Sequence, residues 1–249
     1  MTDVHCHVPS GDSGIRELLV GRDFVGIHPW DTIGVESRAL DGRISNLESQ
    51  ISDSGSEISD FKAQIPDLKS QFSVLRIQIS ESPRLGIGEI GLDRLHEREI
   101  SQTMREAFEA QLALAAEFHR PVVLHGAKCW GQVVAALRRA IGTDETPAIP
   151  AALFHGFSRS DGLIPDIVKL NGYISVGPAV LNDHAVNYRE LVKKIPLDRL
   201  LVETDRTEEN AAECPSARDI LAKLADLRGL SAAELETVTD ANAERFFPR

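Results

Sequence analysis

Asp3-Val4-His5-Cys6-His7 places two imidazoles two residues apart near the start of the chain. In an extended strand successive side chains alternate between faces, so His5 and His7 share one face and Cys6 takes the other. Two neutral imidazoles converging from one side make half a site for zinc or a similar divalent ion. Such a pair also arises by chance, so its meaning depends on what the rest of the chain supplies. Three more short apolar runs end in groups of the same chemistry: Val122-Val123-Leu124-His125, Ala152-Leu153-Phe154-His155, and Leu200-Leu201-Val202-Glu203-Thr204-Asp205. Glu89 lies inside a fifth, Leu85-Gly86-Ile87-Gly88-Glu89-Ile90-Gly91-Leu92-Asp93. A carboxylate within a buried strand is costly unless it is paired or bound to a cation. Taken singly, each of these residues reads as a core histidine or a capping acid. Taken together, at matching strand ends, they read as a metal site.

The elements that must bring them together alternate from end to end. Strand-like runs at Thr2–Val8, Phe24–Ile27, Leu85–Leu92, Pro121–Gly126, Ala151–Gly156, Gly172–Gly177 and Arg199–Asp205 alternate with helical patterns. Those patterns cover Glu97–His119, Trp130–Ile141, Leu163–Leu170, Ala185–Lys194, Ser216–Arg228 and Ala232–Phe247, with a short helix-like piece at Ile15–Leu19. Strand and helix in alternation predict an α/β fold with a parallel sheet. In a closed TIM-barrel-like arrangement all strand C-termini meet on one face, so side chains far apart in sequence converge.

Arg43 to Ile79 departs from this rhythm. Its apolar residues recur at alternating three- and four-residue steps, a heptad seam that predicts one or two amphipathic helices packed on the sheet, with an arm or a homo-oligomer contact as the sharper alternative. Gly55 and Pro66 argue against one straight rod. No Pro/Gly/Ser linker divides the chain, so residues 1–249 are expected to form one domain with a helical insertion at 43–79.

Composition sets bounds. With 42% hydrophobic and 26% charged residues the chain has the makeup of a soluble globular protein. No basic n-region leads into an apolar run, and three widely spaced cysteines make no disulfide framework, so a cytoplasmic location is the expectation. A net charge of -11 argues against an extended nucleic-acid-binding surface, although a few cations at a cleft suffice for a hydrolase.

The ordered motifs resemble the TatD family of metal-dependent hydrolases. They are Asp3–His7, Gly26-Ile27-His28-Pro29, Gly88–Asp93, Pro121–His125, Phe154-His155-Gly156-Phe157-Ser158, Pro196–Asp205 and Asn242–Phe247, covering nearly the whole chain outside residues 43–83. The resemblance implies a TIM-barrel-like fold with one or two divalent ions. His5, His7 and Asp205 would hold one, Glu89 would bridge, and His125 with His155 would hold the other. Mixed imidazole and carboxylate donors suit zinc, manganese or iron, while magnesium prefers more oxygen ligands. Asp205 is the candidate general base, with Glu89 catalytic through its bridging position. Glu203 falls on the same strand face, as a supporting group. Asp93 is expected to cap a loop, and His28 to contact substrate or fix the His-Pro turn.

Some positions depart from the family pattern. Many relatives carry arginine two residues after the histidine matching His125; here Ala127 stands there, followed by Lys128. Arg206-Thr207 replace the usual small residue and proline, making Arg206 a candidate anion contact beside Lys128. The run from His7 to Gly26 is short, so a βα unit is expected to be missing and the barrel distorted near its N-terminus. The implied activity is metal-dependent cleavage of phosphodiester bonds in DNA. The alternatives are an amidohydrolase-type enzyme acting on a small amide, ester or lactone, and a non-catalytic metal-binding scaffold.

Overall fold

The computed structural model describes residues 1–33, 68–95, 98–142 and 147–248. Among them are eight strands: β1 (Thr2–Cys6), β2 (Arg16–Leu19), β3 (Phe24–Val25), β4 (Gly86–Asp93), β5 (Val122–Ala127), β6 (Ala152–Phe154), β7 (Gly172–Val176) and β8 (Leu200–Val202). Strands β3 to β8 form one parallel sheet in sequence order, and β1 pairs with β2 in a second. Two slender seams join the sheets. A single parallel bridge links Val20 to Phe24, and the Asp205 N–H donates to the His5 carbonyl at 3.0 Å across the β8–β1 seam. The arrangement is TIM-barrel-like, with its hydrogen-bond ladder continuous only from β3 to β8.

The expected distortion near the N-terminus is present, since β1 and β2 stand apart from the β3–β8 ladder, but the expectation that a whole βα unit is missing needs correcting. The strand is present; the helix is what is absent, because residues 7–15 cross from β1 to parallel β2 without one. Ile15–Leu19, read above as helix-like, supplies that strand. Its apolar spacing was too short to distinguish the two periods. Pairing of Cys6 with Leu19 and burial of Leu18 and Leu19 decide for the strand.

Strand alternation divides the apolar residues into two shells. Val123, Leu153, Tyr173 and Leu201 point inward and pack with Val4, Leu18 and Phe24. Their neighbours Val122, Leu124, Ala152, Phe154, Ile174, Leu200 and Val202 point outward, toward the helices. Two residues beyond each inward apolar residue, the same face presents His125, His155, Ser175 and Glu203. The apolar layer is the floor of the barrel and the polar layer is the site. Phe246 and Phe247 at the chain's end stack on Phe24 and close the floor from below.

The outer helices are α1 (Leu68–Glu81), α2 (Gln102–Glu117), α3 (Trp130–Ile141), α4 (Ile164–Lys169), α5 (Val186–Lys194), α6 (Ala217–Arg228) and α7 (Ala232–Phe246). Ser216 and Ser231 start α6 and α7 with reciprocal capping boxes to Asp219 and Glu234, each contributing about 1 kcal/mol. The heptad seam enters the described residues only at α1. There Leu75 and Ile79 join the main core, and Arg76 pairs with Glu117 of α2. The rest of the seam, residues 43–67, lies outside the described residues.

Candidate metal centre

Glu89 occupies the middle of β4 and is 5% exposed. Gly91, two residues on, allows the approach of β5 that brings His125 alongside, since a Cβ there would lie 2.0 Å from the His125 carbonyl oxygen. Five of the chain's eight histidines bring a ring nitrogen within 4.0 Å of the Glu89 carboxylate. On one side, Oε2 lies 3.4 Å from His5 Nε2 and 3.7 Å from His7 Nε2, which in turn lie 3.5 and 3.6 Å from Asp205 Oδ1. On the other, Oε1 lies 2.7 Å from His125 Nδ1, 2.5 Å from His155 Nε2 and 3.4 Å from His28 Nε2.

The two sides differ in what they can hold. Donor atoms about 2.1 Å from a common ion at tetrahedral angles are roughly 3.4 Å apart. The four distances that join His5 and His7 to Glu89 and Asp205 have that spacing, and His5, His7 and Asp205 stand close enough together to share one ion. His5 is fully buried, yet among the described residues neither of its ring nitrogens has a hydrogen-bond partner. A buried imidazole facing two carboxylates without bonding either fits a divalent ion between them. The His125–His155–Glu89 group is contracted into hydrogen-bond distances, with His125 Nδ1 and His155 Nε2 at 3.2 Å. Its donor set fits a second ion after a small expansion.

Surrounding bonds select which nitrogen each imidazole offers. Asp93, buried at the end of β4, accepts from His125 Nε2–H at 2.9 Å, from Trp30 Nε1–H at 2.8 Å and from the Leu95 N–H at 2.5 Å. In the metal-free protein Glu89 accepts from His125 Nδ1–H at 2.7 Å; with Asp93 holding the proton on Nε2, loss of the Nδ1 proton would free that nitrogen to ligate a metal. His28 is arranged in the opposite sense. Its Nδ1 accepts the Trp30 backbone N–H at 3.2 Å, so Nε2 carries the proton and points toward Glu89. The neutral ring in this tautomer can donate a hydrogen bond from that face but cannot ligate from it. Glu203 accepts from the Gly156 N–H at 2.8 Å and Ser175 Oγ–H at 2.6 Å, and lies 3.9 Å from His155 Nδ1, so it fixes the turn that carries His155. Asp3 accepts from Thr204 N–H and Oγ–H and from the His5 N–H, tying the start of β1 to the end of β8.

Electrostatics follow from this crowding. Burial alone would raise the carboxyl of Glu89, but the charge of His155 and the hydrogen bonds of His125, His155 and His28 hold it well below the usual range. Asp205 is likewise pushed up by burial and pulled further down by His5 and His7. Burial disfavours charge on His125, yet Asp93 and Glu89 outweigh it and raise the group to about 9. At two other carboxylates burial wins: it raises Glu203 against the pull of His155 and His5, and it raises Asp3 to about 6 against the hydrogen bonds from Thr204 and His5.

The remaining expected site residues divide. Lys128 is exposed and lines a cavity of about 830 Å³ whose wall includes His125, His155 and Asp205. Arg206, expected to contact an anion, clamps its own loop: its guanidinium donates to the Ala211 and Cys214 carbonyls at 2.6 and 3.2 Å. Asp93 is the residue that sequence reasoning underrated. Its position at the end of an apolar strand was the available signal, but its partners Trp30 and His125 are distant in sequence.

Comparison with known proteins gives the family. The family model described as TatD related DNase matches residues 22–248. Among curated proteins, the chain is 30% identical over 172 residues to an uncharacterized metal-dependent hydrolase, YabD of Bacillus subtilis, covering 66% of this chain and 65% of the relative. It is 33% identical over 175 residues to the 3'-5' ssDNA/RNA exonuclease TatD of Klebsiella pneumoniae, again covering 66% and 65%. The match thus spans slightly less than two thirds of these relatives. Among solved structures, the TatD homologue YJJV of Escherichia coli superposes with a TM-score of 0.62 at 25% identity, covering 74% of this chain and 72% of that one. A TatD family hydrolase from Entamoeba histolytica superposes with a TM-score of 0.62 at 15% identity over 96% of this chain and 77% of that one, which supports the fold alone.

Proposed function

The chain belongs to the TatD-related DNase family, and from that premise we propose that it is a divalent-metal-dependent hydrolase of phosphodiester bonds, with DNA as the substrate class. The observation that carries the reading is the convergence of five imidazoles and Asp205 around one buried carboxylate at the mouth of the barrel. His5, His7, Glu89 and Asp205 would hold one ion, and Glu89, His125 and His155 a second. Mixed nitrogen and oxygen donors favour zinc or manganese over magnesium. When bound, such ions would lower the pKa of an attacking water and neutralise charge on the phosphoryl oxygens.

The chain's own groups supply the remaining parts. Asp205 is 47% exposed, whereas Glu89 is 5% exposed, so Asp205 is the carboxylate of the cluster that an entering water can reach. It is ionised at neutral pH, and its open side leaves it positioned to accept that water's proton. His28 Nε2–H points into the same space as a donor to a phosphoryl oxygen. Lys128, exposed on the cavity wall, supplies a point charge for the phosphate. We leave Arg206 out of substrate contact, because both of its terminal nitrogens donate to carbonyls of its own loop.

The test is hydrolysis of single-stranded DNA and of bis(p-nitrophenyl) phosphate by metal-stripped protein re-supplied with manganese, zinc or magnesium. Both substrates should be cleaved only with metal, and Asp205→Asn should lose at least about 100-fold in kcat. A metallated protein that cleaves neither substrate would sink the proposal and direct attention to amides and lactones.

A further inference from the structure

Two cavities meet at Asp205. One, of about 830 Å³, runs from Leu95 past His125, Lys128 and Trp130. The other, of about 770 Å³, runs past Gly177, His184 and Tyr188. They share Gly156, Ser158, Arg159 and Asp205, so this group forms the saddle between them. Each volume lies within the roughly 300–1,000 Å³ typical of small-molecule sites, enough for a nucleoside-sized group.

Three properties meet at Arg159 on this saddle. It is exposed, and among the described residues its guanidinium makes no hydrogen bond or ion pair, so on this cavity wall it is open to an anion, in a chain whose net charge is -11. Its backbone has φ of 59°, the left-handed region where glycine is the comfortable residue and a side chain is held at a cost. It also stands beside the metal-competent cluster, at a place where Arg206 is unavailable and Lys128 offers only a point charge. A planar guanidinium presents paired N–H donors that match two oxygens of one phosphate, which an ammonium cannot do.

We propose that Arg159 grips the non-bridging oxygens of the phosphodiester lying on this saddle, so that the groups on its two sides occupy the two cavities. The inference rests on the phosphodiesterase reading above and narrows it. The substrate class becomes a diester with a nucleoside-sized group on both sides, such as an internal linkage of a single strand, in preference to a phosphomonoester that would leave one cavity empty. Arg159 holds the phosphate and takes no proton. The cost of its backbone conformation is consistent with a position kept for the side chain.

The experiment compares wild-type, Arg159→Gly, Arg159→Lys and the control Arg138→Ala, all loaded with manganese and checked for equal metal content. Affinity is read from the anisotropy of a fluorescent thymidine trinucleotide with phosphorothioate linkages, across a salt series. Turnover is read on thymidine dinucleotide and on p-nitrophenyl phosphate, and folding from thermal melts. Arg159→Gly should weaken trinucleotide binding about tenfold or more and reduce the slope of log Kd against log salt by roughly 0.7, as for one lost contact to a single strand. Its melting temperature should hold or rise, because glycine relieves the backbone. Arg159→Lys should recover only part of the affinity, and loss of turnover should be larger on the dinucleotide than on the monoester. Arg138→Ala should match wild type throughout. Unchanged affinity and salt slope in Arg159→Gly would overturn the inference while leaving the phosphodiesterase reading intact, as would lost affinity accompanied by a lower melting temperature. A wild-type protein that neither binds the trinucleotide nor cleaves the dinucleotide would overturn both.

Discussion

Replacing Asp93 tests whether His125 is prepared for a metal by its neighbours. The carboxylate uses both oxygens: Oδ2 accepts from His125 Nε2–H and Trp30 Nε1–H, and Oδ1 accepts from the Leu95 N–H. Asparagine cannot reproduce this. With its oxygen toward His125 and Trp30, its NH2 group faces the Leu95 N–H; turned over, the NH2 group faces both ring donors. The first orientation retains two bonds and the His125 tautomer but loses the negative charge that makes His125 a stronger donor. Alanine removes all three bonds and frees the ring to rotate. Loss of such a partner typically weakens metal binding by about 10–100-fold, or roughly 1.4–2.7 kcal/mol. Asp93→Asn should fall near the lower end and Asp93→Ala near the upper. Calorimetric titration of metal-free protein with manganese at pH 7.5 is expected to resolve two steps. The tighter belongs to His5, His7, Glu89 and Asp205, whose donors already stand at ligand spacing. Only the weaker step should move, because Asp93 has no bond to the first group. Unchanged binding in Asp93→Ala would refute the role of Asp93 in preparing His125. Equal weakening of both steps would show that the substitution acts through general loss of packing.

Other outcomes follow from the same geometry. His125 is raised to about 9 in the metal-free protein, mainly by Asp93 and Glu89 against the effect of burial. A proton must therefore leave for metal to bind there, and affinity at the weaker step should climb as pH rises from 7 toward 9, read by calorimetry in buffers of different ionisation enthalpy. Asp3 is raised from 3.8 to about 6 by burial, so the stability from its raised pKa, about 3 kcal/mol, is fully present below pH 3.8 and lost as pH rises through 6. Asp3→Asn should remove that component, flattening urea-melt stability between pH 4 and 7 relative to wild type; parallel pH profiles would show Asp3 to be uninvolved. Arg206→Ala should lower stability by about 1–2 kcal/mol through its lost carbonyl bonds and leave KM for DNA unchanged. A raised KM at unchanged stability would restore Arg206 as a substrate contact.

Much of the architecture was legible as period and punctuation. Trp130–Ile141 is a helix over the range its apolar pattern predicted, and α6 and α7 lie within one residue of their expected bounds. Failures fell where a segment was too short to carry a period. Ile15–Leu19 became β2 because it had Cys6 to pair with, a long-range fact that outweighs a local helical pattern.

The same division runs through the site. Alternation along single strands was enough to put Val123 and His125, Leu153 and His155, and Leu201 and Glu203 on one face, since the period of two is a property of the backbone alone. Sequence by itself therefore determined which residue types stand at the strand ends, and so the class of chemistry they can perform. Only the tertiary structure decided which nitrogen His28 and His125 present, that Arg206 faces its own loop, and that Arg159 stands unpaired between two cavities. Those outcomes depend on donors and acceptors far along the chain. Asp93 meets Trp30 across 63 positions, and Thr204 meets Asp3 across 201. A hydrogen bond acts over about 3 Å of space and is indifferent to sequence separation, so closing the barrel is what selects each partner.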